Sequence, residues 1–126
     1  MINFSFILKT EKMYQKKKPM DYTDCSVRIP LDILAGSWKA WLIIEISKGV
    51  SRPSDLYRSI AIAPKRALTK QLKELEQQGI VEKTIYPVIP MKVEYNLTEA
   101  GRDLLPILEQ LEKWGDKYKH VSHTMQ

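Results

Sequence analysis

Apolar and polar positions recur with helical spacing between residues 27 and 78, and this pattern predicts four helices. Apolar residues at 27–34 indicate a short helix that ends at Gly36. The nearly all-apolar run at 38–48 indicates a core helix whose first turn Ser37 could cap. Pro53 suits the first turn of a third helix. This part of the chain is therefore predicted to be helical throughout.

The fourth predicted helix, at about residues 64–78, has one apolar edge and one basic edge. Leucines recur at helical spacing on the apolar side, whereas the opposite side carries no acid. A basic edge held in place by a leucine stripe suits the DNA major groove, where arginine can form two hydrogen bonds with guanine. The candidates for contact with bases or groove walls are Lys65, Arg66, Thr69 and Lys70, with Lys73 beyond them. Together with the preceding short helix, this helix predicts a helix-turn-helix.

Strand-like alternation follows Gly79 and predicts a β-hairpin at about residues 80–97. The connection is rich in proline, which lacks a backbone donor and is typical of a hairpin tip. A hairpin directly after a helix-turn-helix is a wing. Its Lys83 and Lys92 are candidates for contact with phosphate or the minor groove, although simple solvation explains these lysines nearly as well.

A last helix is predicted at about residues 99–118, with Thr98 as its cap and a kink at Pro106. One side of it is continuously apolar, and we expect this strip to pack across a twofold axis in a homodimer, together with the helix at 27–34. The alternative is that the strip folds back on its own domain. The predicted dimer residues are Leu104, Leu108, Leu111, Trp114 and Tyr118.

The net charge of +5 is unevenly distributed. Residues 48–73 hold seven Lys or Arg against one Asp, and Ser54 and Arg58 within them are further candidates for DNA contact. Basic residues clustered between more acidic segments are typical of phosphate binding, although a solvated surface is the alternative. Residues 1–20 are also basic and are interpreted as an arm, mobile or folded as an extra helix, ahead of a domain at 21–126.

Several classes of protein do not fit the composition. A single cysteine excludes an internal disulfide, and no Cys/His spacing resembles a zinc site. No stretch approaches a membrane span, and the short apolar N-terminus makes a poor signal peptide, so a cytoplasmic location is expected. His120 and His123 lie in a polar tail without a nucleophile or ligand pattern nearby, so we predict neither an enzyme nor a bound cofactor or metal.

A series of short fragments is specific in its order and spacing. They are Cys25, GSWK at 36–39, SDL at 54–56, LTKQLKELE at 68–76, GIV at 79–81, YP at 86–87, KVEY at 92–95 and LTEAGR at 97–102. In this order they resemble the HxlR-type family of bacterial transcription regulators, which are related in architecture to MarR-type proteins. The resemblance implies an α+β, mainly α fold: a winged helix-turn-helix DNA-binding domain with a C-terminal dimerisation helix.

The resemblance also implies a function, a homodimeric regulator that binds double-stranded DNA in successive major grooves about 34–36 Å apart. Cys25 is similar to an N-terminal cysteine that senses oxidants or electrophiles in some members, with a half-buried structural thiol as the alternative. The chain departs from the family at Ser26, Pro53 and Pro64, and the last change removes a hydroxyl from the start of the recognition helix. The competing hypothesis is a winged helix that docks an acidic protein instead of DNA.

Overall fold

The computed structural model describes the backbone of residues 25–125, so the basic arm at 1–20 lies outside the described residues. Within these described residues, five helices and one two-stranded antiparallel sheet follow each other in sequence. They are α1 (Arg28–Ile33), α2 (Lys39–Ser47), α3 (Pro53–Ser59), α4 (Lys65–Gln77), β1 (Val81–Tyr86), β2 (Lys92–Leu97) and α5 (Glu99–Met125). The predicted mainly helical α+β fold with a C-terminal helix is confirmed.

The core forms where the apolar sides of α2, α4 and α5 meet the base of the hairpin. Leu42 and Ile43 of α2 have no exposed surface, as expected for a helix with few polar positions. Leu68, Leu72 and Leu75 of α4 are buried against the same cluster, so the leucine stripe holds this helix to the domain. The opposite edge of α4 is thereby left in solvent.

The start of α2 differs from the prediction. Ser37 does not cap this helix. The N-cap residue is Trp38, and no side-chain capping hydrogen bond forms at this end. The Trp38 backbone N–H instead donates to Gln71 Oε1 of α4, at 2.8 Å. A side chain distant in sequence thus satisfies one of the orphan donors at the helix start, which a local pattern cannot reveal.

The hairpin is anchored at its base, and its first strand is exposed beyond Val81. Val81 pairs with Leu97 at the base, where both side chains are buried, and Tyr86 pairs with Lys92 near the tip. The Tyr95 backbone N–H donates to the Ser51 carbonyl oxygen at 2.8 Å. This bond ties β2 to the segment just before α3 and so fixes the hairpin beside the helix-turn-helix.

The terminal helix begins as predicted and bends elsewhere than predicted. Thr98 Oγ1 accepts a hydrogen bond from the Gly101 backbone N–H at 3.1 Å, which is an N-cap. The helical dihedrals break at Tyr118 rather than at Pro106, where the kink was predicted. Pro106 and Arg102, whose carbonyl loses its helical donor, are both exposed, so water can satisfy that carbonyl without a bend.

Gly101 is required by a close approach between α5 and the hairpin. A Cβ atom at this position would lie 2.3 Å from the Ile80 carbonyl oxygen. That oxygen accepts a hydrogen bond from the Thr98 backbone N–H at 3.0 Å, so it is held in place. Any side chain at 101 would therefore push the terminal helix away from the hairpin base.

Candidate nucleic-acid interface

The exposed side of α4 is an edge of cations, here called the basic edge. It consists of Arg66, Lys70 and Lys73, with Lys65 at the start of the helix. No residue in the described part of the chain forms an ion pair with Arg66, Lys70 or Lys73. Their positive charges are therefore available to an external anion.

The first turn of α4 holds cations where a helix favours anions. Lys65 and Arg66 follow the N-cap Pro64, the first turn contains no acid, and no side chain caps it. The positive end of the helix dipole disfavours each cation there by about 0.3–1 kcal/mol at an exposed site. Helix stability therefore does not explain why cations occupy this turn. Binding of an anion at the helix start would explain it.

The acids of α4 do not weaken the basic edge, because Glu74 points away from it. Glu74 Oε1 lies 3.4 Å from Nζ of Lys39, a lysine of α2 that is only 2% exposed. Together with the bond from Trp38 to Gln71, this ion pair fastens the start of α2 to the middle of α4. We call these two contacts the α2–α4 latch. The sequence alone did not indicate that Lys39 takes part in it.

A second set of contacts joins α3 to α4 at the exposed surface. The Tyr57 hydroxyl lies 3.0 Å from Thr69 Oγ1, and Thr69 Oγ1 also donates to the Lys65 carbonyl at 2.9 Å. The Lys65 ammonium lies 5.2 Å from the centre of the Tyr57 ring. Thr69 was predicted to contact bases, yet its hydroxyl proton is already used inside the helix. Tyr57 was missed because its contacts depend on how the two helices cross.

The predicted candidates on α3 differ from those on α4. Ser54 is exposed near the start of α3, whereas the exposed Arg58 forms an ion pair with Asp55 one turn earlier. Arg52 is exposed just before α3 and has no ion-pair partner among the described residues. Sequence reasoning counted Arg52 only within the basic segment and did not single it out.

On the wing, the two predicted lysines are not equivalent. Lys83 is exposed on β1. Lys92 Nζ lies 3.5 Å from Glu94 Oε2 and 5.0 Å from the centre of the Tyr86 ring, so its charge is partly neutralised. Glu94 also raises the pKa of the Tyr86 phenol, first by a side-chain hydrogen bond and then by its charge. The phenol therefore stays neutral near physiological pH.

A cleft of about 550 Å³ separates α3 from the end of the wing. One wall is formed by Arg52, Pro53, Ser54 and Tyr57, and the other by residues 88–93. The structure thus brings Ser54 and Lys92 together across the cleft, whereas Lys83 and Arg66 do not line it. Tyr57 connects the cleft to the basic edge, since it also contacts Thr69 and Lys65.

The apolar strip of α5 is divided between two environments. Leu104 and Leu108, predicted to form a dimer interface, are buried in the core of their own domain, so that part of the prediction needs correction. Their helix face turns toward the hairpin and α2. Leu111 and Trp114 are 54% and 64% exposed, and the half-buried Tyr118 stacks its ring 4.9 Å from that of Trp114.

An exposed apolar surface remains on α1 and α5. We call the exposed residues Ile107, Leu111 and Trp114 the terminal strip; Val27 and Leu31 beside and within α1 are exposed as well. Cys25 is also exposed, and its carbonyl accepts a hydrogen bond from the Arg28 backbone N–H at 3.0 Å. The alternative of a half-buried structural thiol does not describe Cys25 in this chain.

Between residues 25 and 125, no helix is both long enough and apolar enough to cross a membrane. Within the same residues, no group of three or more His, Cys, Asp or Glu is placed to hold a metal ion.

Comparison with protein families gives a match along most of the chain. The model of the HxlR-like helix-turn-helix family matches residues 33–123. The HTH-type transcriptional regulator YdeP of Bacillus subtilis (strain 168) is 39% identical over 99 residues, which are 79% of this chain and 77% of YdeP. An HTH-type transcriptional regulator of Methanothermobacter thermautotrophicus is 38% identical over 94 residues, 75% of this chain and 72% of that protein.

Solved structures give the same result. The redox regulator HypR in its reduced form superposes with a TM-score of 0.71 at 40% identity, covering 78% of this chain and 97% of that one. The reduced form of the transcriptional regulator YodB from B. subtilis superposes with a TM-score of 0.67 at 30% identity, covering 75% and 92% of the two chains. YdeP, the Methanothermobacter protein and YodB are transcriptional regulators, and HypR is a redox regulator.

Proposed function

Because the chain belongs to the HxlR-like helix-turn-helix family of transcriptional regulators, we propose that it binds specific DNA sequences as a homodimer. The observation that carries this proposal is the basic edge of α4, with cations in the first turn and its inward acid neutralised by Lys39. Such an edge presents donors and positive charge without a competing acid. It suits the major groove, where base edges and flanking phosphates both accept hydrogen bonds.

The dimer proposal rests on the apolar surface of α1 and α5. Large apolar side chains are exposed on both α1 and α5, which is typical of an interface, and a twofold axis buries the same patch on both subunits. A dimer would present two copies of α4, as an operator with two half-sites requires. This supports a dimer built through the terminal strip and α1, with Leu104 and Leu108 as the core residues beneath it.

Binding should be tested on genomic fragments selected by the purified protein, with fluorescence anisotropy at several salt concentrations. Lys70→Ala should weaken binding to a selected fragment, whereas Lys113→Ala, an exposed cation of α5, should not. If wild-type protein binds selected and random fragments equally at every salt concentration, specific binding is wrong. If it binds neither, the basic edge is better explained by an acidic protein partner.

Dimerisation should be tested by light scattering. Leu111→Glu with Trp114→Glu should give a folded monomer with weaker operator binding, because the two substitutions place four charges in the buried patch of a dimer. Lys113→Glu, on the same helix, is the control and should leave the mass unchanged. A double variant that is still dimeric would contradict the proposed interface.

A redox response at Cys25 is the third part of the proposal, supported by the exposed thiol and by the similarity to the redox regulators HypR and YodB. Since the chain has one cysteine, any disulfide must join two molecules. Diamide would take two electrons and two protons from two thiols to form it. Treated wild type should therefore change its operator affinity, and Cys25→Ser should not. An identical response in Cys25→Ser would remove the sensor role.

A further inference from the structure

The end of the wing is an exposed apolar surface, which we call the wing tip (residues 87–91). Val88, Ile89 and Met91 are exposed between and beside Pro87 and Pro90, and Ile89 is as exposed as a free residue. None of these side chains adds to the core, so the stability of the domain does not explain their apolar character. Clustered apolar side chains at the end of a projecting hairpin are typical of a surface that a partner covers.

The charge around the wing tip indicates what that partner is. The two lysines nearest the wing tip are Lys83, which is exposed, and Lys92, which Glu94 partly neutralises. Arg52 lies across the cleft from the tip, and Tyr57 in the same cleft wall contacts the basic edge of α4 through Thr69 and Lys65. The tip therefore continues the basic surface proposed to bind DNA. This position favours a polyanion as the partner over a protein surface that has few acids.

We propose that the wing tip enters the DNA minor groove as an apolar wedge, with Ile89 pressed against one base step beside each half-site. This inference rests on the proposed DNA binding and adds how the wing contributes to specificity. Ile, Met and Pro are among the side chains that other minor-groove proteins insert between base steps, which unstacks the step and bends the duplex. The wing tip supplies all three types within residues 87–91.

The wedge gives specificity without hydrogen bonds to bases. Residues 87–91 carry no polar side chain, so they cannot recognise the donors and acceptors of the groove floor. They can distinguish steps by how easily these unstack, and the flexible TA and CA/TG steps unstack most easily. The preferred operator should therefore carry such a step where the wing tip contacts the DNA, outside the bases contacted by α4.

The test uses the full chain and an operator fragment obtained by selection. 2-Aminopurine is placed at successive steps flanking the half-site, and the two fragment ends carry a fluorescence energy-transfer pair. Wild type should brighten 2-aminopurine at one step and bring the ends closer. Ile89→Ala should lose both signals and bind about three- to tenfold more weakly, because the variant no longer buries the isoleucine but is also spared the cost of unstacking the step.

Ile85→Ala is the matched control, because Ile85 is an exposed isoleucine of the same hairpin that lies outside the wing tip. It should retain brightening and bending. Replacing the flexible step with a stiff A-tract step should weaken wild type and leave Ile89→Ala nearly unaffected. Thermal melts of both variants should match wild type, since neither side chain belongs to the core.

The outcomes separate the two proposals. If Ile89→Ala binds and bends the operator as wild type does, the wedge is wrong while DNA binding stands, and the apolar tip is left to a protein partner. If wild type binds no fragment, both proposals fail. If wild type binds with specificity but without unstacking or bending, the wedge alone is overturned.

Discussion

The cations of α4 and those of its neighbours differ in what surrounds them. Arg66 and Lys70 on the basic edge have no acid partner among the described residues. Arg58 on α3 pairs with Asp55, and Lys92 on the wing pairs with Glu94. All four were predicted to contact DNA from the sequence. The difference teaches that the charge a segment offers to a ligand depends on which acids share its face.

The pairing follows from local spacing. Asp55 and Arg58 are three residues apart on one helix, and Lys92 and Glu94 are two apart on one strand, so each pair shares a face. The acid of α4 nearest to the basic edge in sequence, Glu74, instead turns inward to Lys39. The basic edge therefore keeps its charge because a buried lysine on another element neutralises that acid.

The largest effect should come from breaking this inward pair. Glu74→Ala removes a carboxylate that lies 3.4 Å from the buried Lys39 ammonium, and we expect a loss of about 2–3 kcal/mol in the free energy of unfolding, less than for a fully buried pair because Glu74 is partly exposed. Urea denaturation would measure it. Glu76→Ala, two residues along the same helix, should cost less than about 1 kcal/mol. Equal losses would contradict the latch.

The second effect concerns binding and compares an unpaired with a paired arginine. Arg66→Ala should cost about 1–3 kcal/mol on the selected operator and relax preference at one base pair, as expected for a side chain that contacts a base. Arg58→Ala should cost less, because Asp55 already neutralises it. Anisotropy titrations on operator and random DNA would measure both. If Arg66→Ala weakens the two DNAs equally, Arg66 does not contact bases.

Much of this arrangement could be predicted from periodicity. The leucine stripe of α4 and the acid-free opposite edge follow from 3.6-residue spacing, and the prolines placed the end of the wing. Periodicity shows which side of a helix is apolar, but not which element packs against that side. It could not show that one apolar strip on α5 divides into core residues such as Leu104 and exposed ones such as Trp114.

Contacts between distant elements could not be predicted either. The Lys39–Glu74 pair and the Trp38–Gln71 hydrogen bond join residues more than thirty positions apart. They depend on how α2 and α4 cross, which the pattern within either helix does not contain. The same limit explains why Ser37 was assigned a cap that Gln71 makes unnecessary.

A third, smaller effect, on the salt dependence of DNA binding, should appear when Lys92 on the wing loses its acid partner. Glu94→Gln should make Lys92 fully available to phosphate and steepen the salt dependence of DNA binding by less than about one unit of slope, because a partly neutralised Lys92 already contributes the rest. Lys92→Ala should lower the slope by less than one, since part of that charge is already neutralised. Glu82→Gln, which removes an equal charge from an exposed position on β1, is the control. If both Glu variants change the salt slope equally, the slope depends on the net charge of the protein and not on the Lys92–Glu94 pair.

The smallest effect divides Thr69 into its two chemical parts. The Thr69 hydroxyl donates within the helix to the Lys65 carbonyl and meets Tyr57, so its methyl group is the part left for a base, such as the methyl of thymine. Thr69→Val keeps the methyl and should retain operator affinity within about 0.5 kcal/mol, apart from a small loss in stability. Thr69→Ser keeps the hydroxyl and should lose preference at one A·T pair. If Thr69→Val is the weaker binder, the hydroxyl leaves its helical acceptor on binding and contacts the DNA itself.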